Sequence, residues 1–97
     1  CDLFLPSTNG LKKEGVIINT ERRLSKLDPV LPKMENELSD YDIALGIGEA
    51  LGMGKLLDKW RTPEIAFNTI KQCTKGTPCD ITGVTYENLK STSGLSF

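Results

Sequence analysis

Ninety-seven residues with a formal net charge of -1 make at most one domain with a modest core. Hydrophobic residues at 38% and charged residues at 26% suit a globular segment, and Lys and Arg form no single block of the kind that marks a nucleic-acid binder. Histidine is absent, which removes the usual general base and the commonest metal ligand, and the odd set Cys1, Cys73 and Cys79 argues against a closed disulfide framework and against a zinc or iron–sulfur site.

In chain order, Asp2 to Pro6 reads as the end of a buried strand that Pro6 terminates. Ser7-Thr8-Asn9-Gly10 is a turn cluster, and Gly15 suits a tight bend before the β-branched run Val16-Ile17-Ile18, an extended strand. Leu24 and Leu27 are placed to pack beneath the next segment. Pro29 and Pro32 keep Asp28 to Lys33 out of a helix, leaving an irregular connector.

Ser39 is the N-cap of the first helix, with Asp40 and Asp42 at the positive end of its dipole. Ile43, Ile47, Ala50 and Leu51 fall on one face, and Gly52 and Gly54 end the helix. Thr62-Pro63-Glu64 starts a second helix, with Ile65, Phe67, Ile70 and Cys73 as its apolar positions, Lys71 and Lys75 near its end and Gly76 as its stop. Thr77 to Asp80 is a loop, Thr85 caps a short helix through Leu89, and Ser91 to Gly94 is flexible in composition. No apolar run reaches the roughly 18 residues that span a bilayer, so no membrane insertion is expected. The chain begins with Cys1 rather than Met, and the compartment, cytoplasmic or periplasmic, is not legible.

Few residues point to chemistry by themselves. Gly46, Gly48, Gly52 and Gly54 followed by Lys55 do not make a phosphate loop: Glu49 stands where its first glycine belongs and Leu56 where its hydroxyl belongs. Small residues for close helix packing are the better account. Glu14, Glu21, Asp28 and Glu35 have no spacing that makes an acid–base pair. Lys12, Lys13, Arg22, Arg23 and Lys26 read as a solvated basic face, Lys13 as one surface lysine among several, and Asp40 as a helix-start acid.

One order of motifs changes those weights. Lys13-Glu14-Gly15 and then Asn19-Thr20-Glu21-Arg22-Arg23 follow Asp2-Leu3-Phe4-Leu5-Pro6 and precede Ser39-Asp40-Tyr41-Asp42. This order resembles an internal region of the molybdopterin oxidoreductases, the superfamily of nitrate reductases and formate dehydrogenases. Thr62 to Phe67 resembles that family's second helix start, and Lys75 to Tyr86 resembles the segment leading into its cofactor-capping domain. The Pro78-Cys79-Asp80 form leans towards nitrate reductases. The chain departs from the pattern at Lys33 to Leu38, at Lys12 where the family has glutamate, and at Leu95-Ser96-Phe97.

The resemblance implies an α/β fold, in which short strands and an extended loop over residues 1–38 lead into two to three helices over 39–97, together a single partial domain. It implies a molybdenum bis-molybdopterin guanine dinucleotide cofactor contacted by Lys13 and Asp40. An ammonium suits pyrophosphate oxygens, and a carboxylate can accept two N–H bonds from a guanine edge. Asn19, Glu21, Arg22 and Arg23 take a supporting role through an Arg–carboxylate pair. No residue here is expected to be catalytic or to ligate metal, Cys79 included, and a 4Fe-4S cluster belongs to a part of the family's chain outside this sequence. The expected partners are the rest of a catalytic subunit and an electron-donor protein, the expected reaction is nitrate to nitrite, and the isolated segment is expected to be inactive. The alternatives are a formate dehydrogenase-like member of the superfamily and a stand-alone helical interaction module.

Overall fold

The computed structural model describes residues 1–97. A hairpin comes first. Strand β1 (Gly15–Ile18) runs antiparallel to β2 (Arg23–Leu27), with Val16 opposite Lys26 and Ile18 opposite Leu24. The turn between them is built on one side chain. Asn19 Oδ1 accepts from the backbone N–H of Glu21 and of Arg23, both at 3.0 Å, and Arg22 takes a left-handed φ of 61°. The β-branched run predicted β1, while Gly15 proves to be an ordinary first strand residue and not a bend.

Helix α1 (Asp40–Ala50) starts where Ser39 accepts from Asp42 N, and Gly52 follows its end with a positive φ. A 3₁₀ segment, Gly54–Trp60, leads to α2 (Pro63–Cys73), capped by Thr62. Helix α3 (Tyr86–Lys90) carries a reciprocal box in which Thr85 and Asn88 cap one another. A last strand, β3 (Leu95–Ser96), pairs antiparallel with β2, so the sheet order is β1-β2-β3. The mixed α/β class predicted from the sequence is the one observed. No helix is long and apolar enough to cross a membrane.

The core is small. Leu24, Phe67, Ile81, Val84, Tyr86 and Leu89 form one cluster, with Val16, Leu95 and Phe97 packed against it. Burial on the middle strand explains why Leu24 is fully enclosed: Ile18 pairs with it on one side and Leu95 on the other, while α3 packs across β2. Lys26 lays its stem along this layer with its ammonium 5.4 Å from the Tyr86 ring centre, and Lys71 is buried with Nζ donating to Val84 O at 2.8 Å. Burial, ahead of the nearby carboxylates, pushes the Tyr86 hydroxyl up to about 12.

Several expected placements are corrected. Asp2 to Pro6 forms no strand; its backbone bond to the rest is Pro6 O accepting from Leu38 N at 3.3 Å, beside the Ser7–Leu38 bridge, and Leu3 and Phe4 stand largely in solvent. A strand requires a ladder partner, and this segment has none along its length. Leu27 is exposed at the end of the β2 ladder, opposite Gly15, and Ile65, Ile70 and Cys73 are exposed because α2 seats itself through Ala66, Phe67 and Lys71. Ile47 and Leu51 are exposed too, and α1 buries no residue at all. Leu24→Ala is expected to cost about 2–5 kcal/mol, the usual loss for a core leucine. Leu56→Ala, at a position 70% exposed, is expected to stay within about 0.5 kcal/mol. Urea midpoints of the two variants check this, and equal midpoints would remove Leu24 from the centre of the core.

Candidate functional site

The segment before β1 is shaped by a cap. Asn9 Oδ1 accepts from Leu11 N at 3.0 Å and starts the 3₁₀ turn Gly10–Lys12, which delivers Lys12 and Lys13 in succession. The Leu11 carbonyl then accepts from Val30 N at 2.8 Å and Leu31 N at 3.1 Å, tying the proline-containing connector to this turn. Thr8 N donates to Leu38 O at 3.0 Å, bringing the same segment alongside the start of α1. Backbone bonds alone thus draw three distant stretches to one place.

Three lysine–carboxylate pairs close across that junction. Lys13 Nζ donates to Asp40 Oδ2 at 2.7 Å, across 27 positions of sequence. Lys12 Nζ donates to Glu37 Oε2 at 2.6 Å, and Lys33 Nζ to Asp42 Oδ2 at 3.2 Å. Beside them is an open groove of about 550 Å³ lined by Lys12, Lys13 and Lys33, by Ser39 and Tyr41, and by the apolar floor of Val16, Ala66 and Phe67. The two residues singled out in the sequence are therefore brought together. Lys13 lines the groove, and the Asp40 side chain stands 69% exposed at the first turn of α1.

The ammonium groups control the local acids. The Lys13 hydrogen bond, and then the Ser7 hydroxyl, hold the Asp40 carboxyl below its ordinary 3.8. The Lys12 ammonium, helped by the Met34 N–H, holds Glu37 below its ordinary 4.5. Partial burial pushes Asp42 up, but the Ser39 hydroxyl and Lys33 together outweigh it and leave the group lowered. All three carboxylates are ionised at neutral pH, so the groove rim is charge-balanced and is not a simple anion trap.

That balance restricts what can bind. A bare anion on Lys13 would displace Asp40 and leave two negative groups side by side. A ligand carrying both an acceptor anion and an N–H donor edge can exchange partners with both, anion to Lys13 and donors to Asp40, without stranding either charge. Sequence reasoning missed Lys12–Glu37 and Lys33–Asp42. No spacing rule connects them, because the connector's path is set by the Leu11 carbonyl.

The expected Arg–carboxylate support does not form. Arg22 Nη2 donates to Pro78 O at 3.0 Å with its guanidinium 5.2 Å from the Phe97 ring centre, and Arg23 Nη2 donates to Ser93 Oγ at 3.1 Å. Glu21 contributes only its backbone N–H, to Asn19. The Asn-x-Glu-Arg-Arg stretch is thus a hairpin turn whose arginines hold the C-terminal loops. Asp80 is a turn-former of similar kind: N–H groups of Gly76 and Thr82 and the Thr82 hydroxyl bring its carboxyl down to about 2.

Among known proteins, the chain is similar to the F420-dependent formate dehydrogenase 1 subunit alpha of Methanococcus maripaludis, 34% identical over 91% of this chain and 12% of that protein. It is 27% identical to the assimilatory nitrate reductase catalytic subunit of Bacillus subtilis over 97% of this chain and 13% of that protein. It is 31% identical to the probable oxidoreductase YjgC of Bacillus subtilis over 99% of this chain and 9% of that protein. The chain therefore spans only about an eighth, or less, of the length of these relatives. No family model matches it. No solved structure matches it at a comparable level of significance.

Lys13→Met is expected to return the Asp40 carboxyl towards its ordinary value, read by an NMR titration of the side-chain carbon. Because the folded value is the lower one, the pair's contribution to stability is present above the ordinary carboxylate pKa and is lost as pH falls through the depressed value. The stability gap between the unaltered chain and Asp40→Asn should close over that acid range. A carboxyl that does not move in Lys13→Met would assign its depression to Ser7 instead.

Proposed function

The chain belongs to the molybdopterin oxidoreductase superfamily, and on that premise we propose that it is an internal segment of a molybdenum-dependent catalytic subunit, with Lys13 and Asp40 contacting the guanine dinucleotide end of the cofactor. The observation that carries this reading is the Lys13–Asp40 pair. Two residues 27 positions apart meet at 2.7 Å at a helix start, beside a groove lined by two further lysines. The side chains fit the group chemically: an ammonium next to a carboxylate matches a ligand that offers a pyrophosphate next to a guanine edge. When bound, the molybdenum centre supplies the redox chemistry. The share of these residues is to bind and orient the dinucleotide.

The finer reading is reduction of nitrate to nitrite, with electrons entering from a donor protein through a 4Fe-4S cluster held elsewhere in the subunit. The Pro78-Cys79-Asp80 form and the likeness to an assimilatory nitrate reductase support it. A formate dehydrogenase is the second reading, favoured by the 34% identity to a formate dehydrogenase alpha subunit. Both assign Lys13 and Asp40 the same role, so the two residues test the cofactor contact and not the substrate.

In the complete subunit, Lys13→Ala and Asp40→Ala are each expected to lower bound molybdenum and bound guanine nucleotide by about tenfold or more, the scale of one lost charge-assisted hydrogen bond. Lys13→Arg should retain most of both. Metal analysis and nucleotide release after denaturation provide the measurement. Full cofactor content in both alanine variants would sink the assignment. Parallel assays of nitrate reduction and formate oxidation on the unaltered subunit separate the two substrate readings.

A further inference from the structure

Helix α1 has two apolar faces, and the chain uses one of them. The face bearing Tyr41 and Gly48 packs on the 3₁₀ segment Gly54–Trp60. The Tyr41 hydroxyl donates to Trp60 O, and a Cβ at Gly48 would come within 2.6 Å of Leu57 Cδ1. At helical spacing, Ile43, Gly46, Ile47 and Ala50 fall on the opposite side, flanked by Leu51. This is the face that the apolar periodicity picks out as core-facing, yet Ile47 is 51% and Leu51 71% exposed. An amphipathic surface helix turns its polar side to solvent; one that is apolar all round belongs in an interior.

Gly46 adds an independent sign. Glycine in a helix interior is destabilising relative to alanine, and a Cβ added there meets nothing within 4 Å in this chain. Nothing among these residues uses its small size, whereas a backbone approaching from outside would. From Ile43, itself half-buried, to Leu51 the stripe carries no charge, Asp40 standing one turn before it on the same side, so the occupant of this stretch is apolar and packs as a core does. The relatives show where such an occupant comes from. Their counterpart of this region is 9–13% of a much longer polypeptide, so most of each relative's chain lies outside it.

We infer that the stripe of Ile43, Gly46, Ile47, Ala50 and Leu51 is the seat of a further segment of the same polypeptide, one that presents an apolar face and brings its backbone close at Gly46. The inference rests on one part of the reading above, that these residues work inside a longer subunit. It assigns no role to the cofactor.

The test is side-chain footprinting with a photogenerated carbene on the polypeptide purified from its source, read peptide by peptide in a mass spectrometer. Leu24, fully buried, is the internal reference. The expected result is loss of labelling at Ile47 and Leu51 down to the Leu24 level, regained in urea. Labelling in the native protein as strong as in urea overturns the inference. Protection that disappears on dilution also overturns it, since the cover is then a second copy. Molybdenum content of the same preparation is read separately. A protected stripe without metal sinks the functional reading and keeps this one; metal with a labelled stripe does the reverse.

Discussion

Asn19 holds a position on which the rest of the chain depends. Its side-chain oxygen gathers the backbone N–H groups of Glu21 and Arg23, and the ladder closes behind it with Asn19 N donating to Arg23 O at 3.1 Å. This turn sets the register of β1 on β2. A slip of one residue would turn Leu24 out of the core and Ser25 in, because neighbouring strand residues face opposite sides. With the register as it is, Leu24 meets the α2–α3 layer, β3 finds its partner, and the opposite end of β1 places Lys13 beside the start of α1.

At that end, electrostatics are arranged by pairing and not by excess charge. Lys12, Lys13 and Lys33 would make a basic cleft if their partners were elsewhere. Glu37, Asp40 and Asp42 neutralise them one for one. Lys13–Asp40 and Lys33–Asp42 are open to solvent and salt and contribute little to stability, whereas Lys12–Glu37 is largely covered. Their consequence is for recognition: a ligand must replace both members of a pair, which disfavours simple anions and favours a molecule with an anionic and a donor-bearing part. The same residues would hold the rim in order when no ligand is there.

Much of the local structure was legible. Ser39, Thr62 and Thr85 are capping residues with acids or proline just behind them, and each starts a helix where expected. The β-branched run at Val16 marks β1. Strand β2 was not legible, since Arg-Leu-Ser-Lys-Leu has neither β-branched residues nor aromatics and becomes a strand through its neighbours on both sides. The two-residue β3 carries no pattern at all. The apolar stripe of α1 was legible as a stripe but not as an exposed one, because periodicity reports which residues share a face and not what lies opposite. The arginines after Asn19 were read as members of an Arg–carboxylate pair, whereas they donate to Pro78 O and Ser93 Oγ.

The amino-acid sequence by itself determined where the three α-helices begin, the first strand, the mixed α/β class and the superfamily, since each of these is written in residues close together or in an ordered set of short motifs; the 3₁₀ segment Gly54–Trp60 was not among them. Lys13 and Asp40 could be singled out on that basis. Only the tertiary structure decided that they pair with each other, that Lys12 and Lys33 have carboxylates of their own, and which face of α1 is turned to solvent. Those outcomes hang on a few long-range backbone bonds, such as Leu11 O to Val30 N and Leu38 O to Thr8 N, whose partners are chosen by how the whole chain packs and leave no local mark.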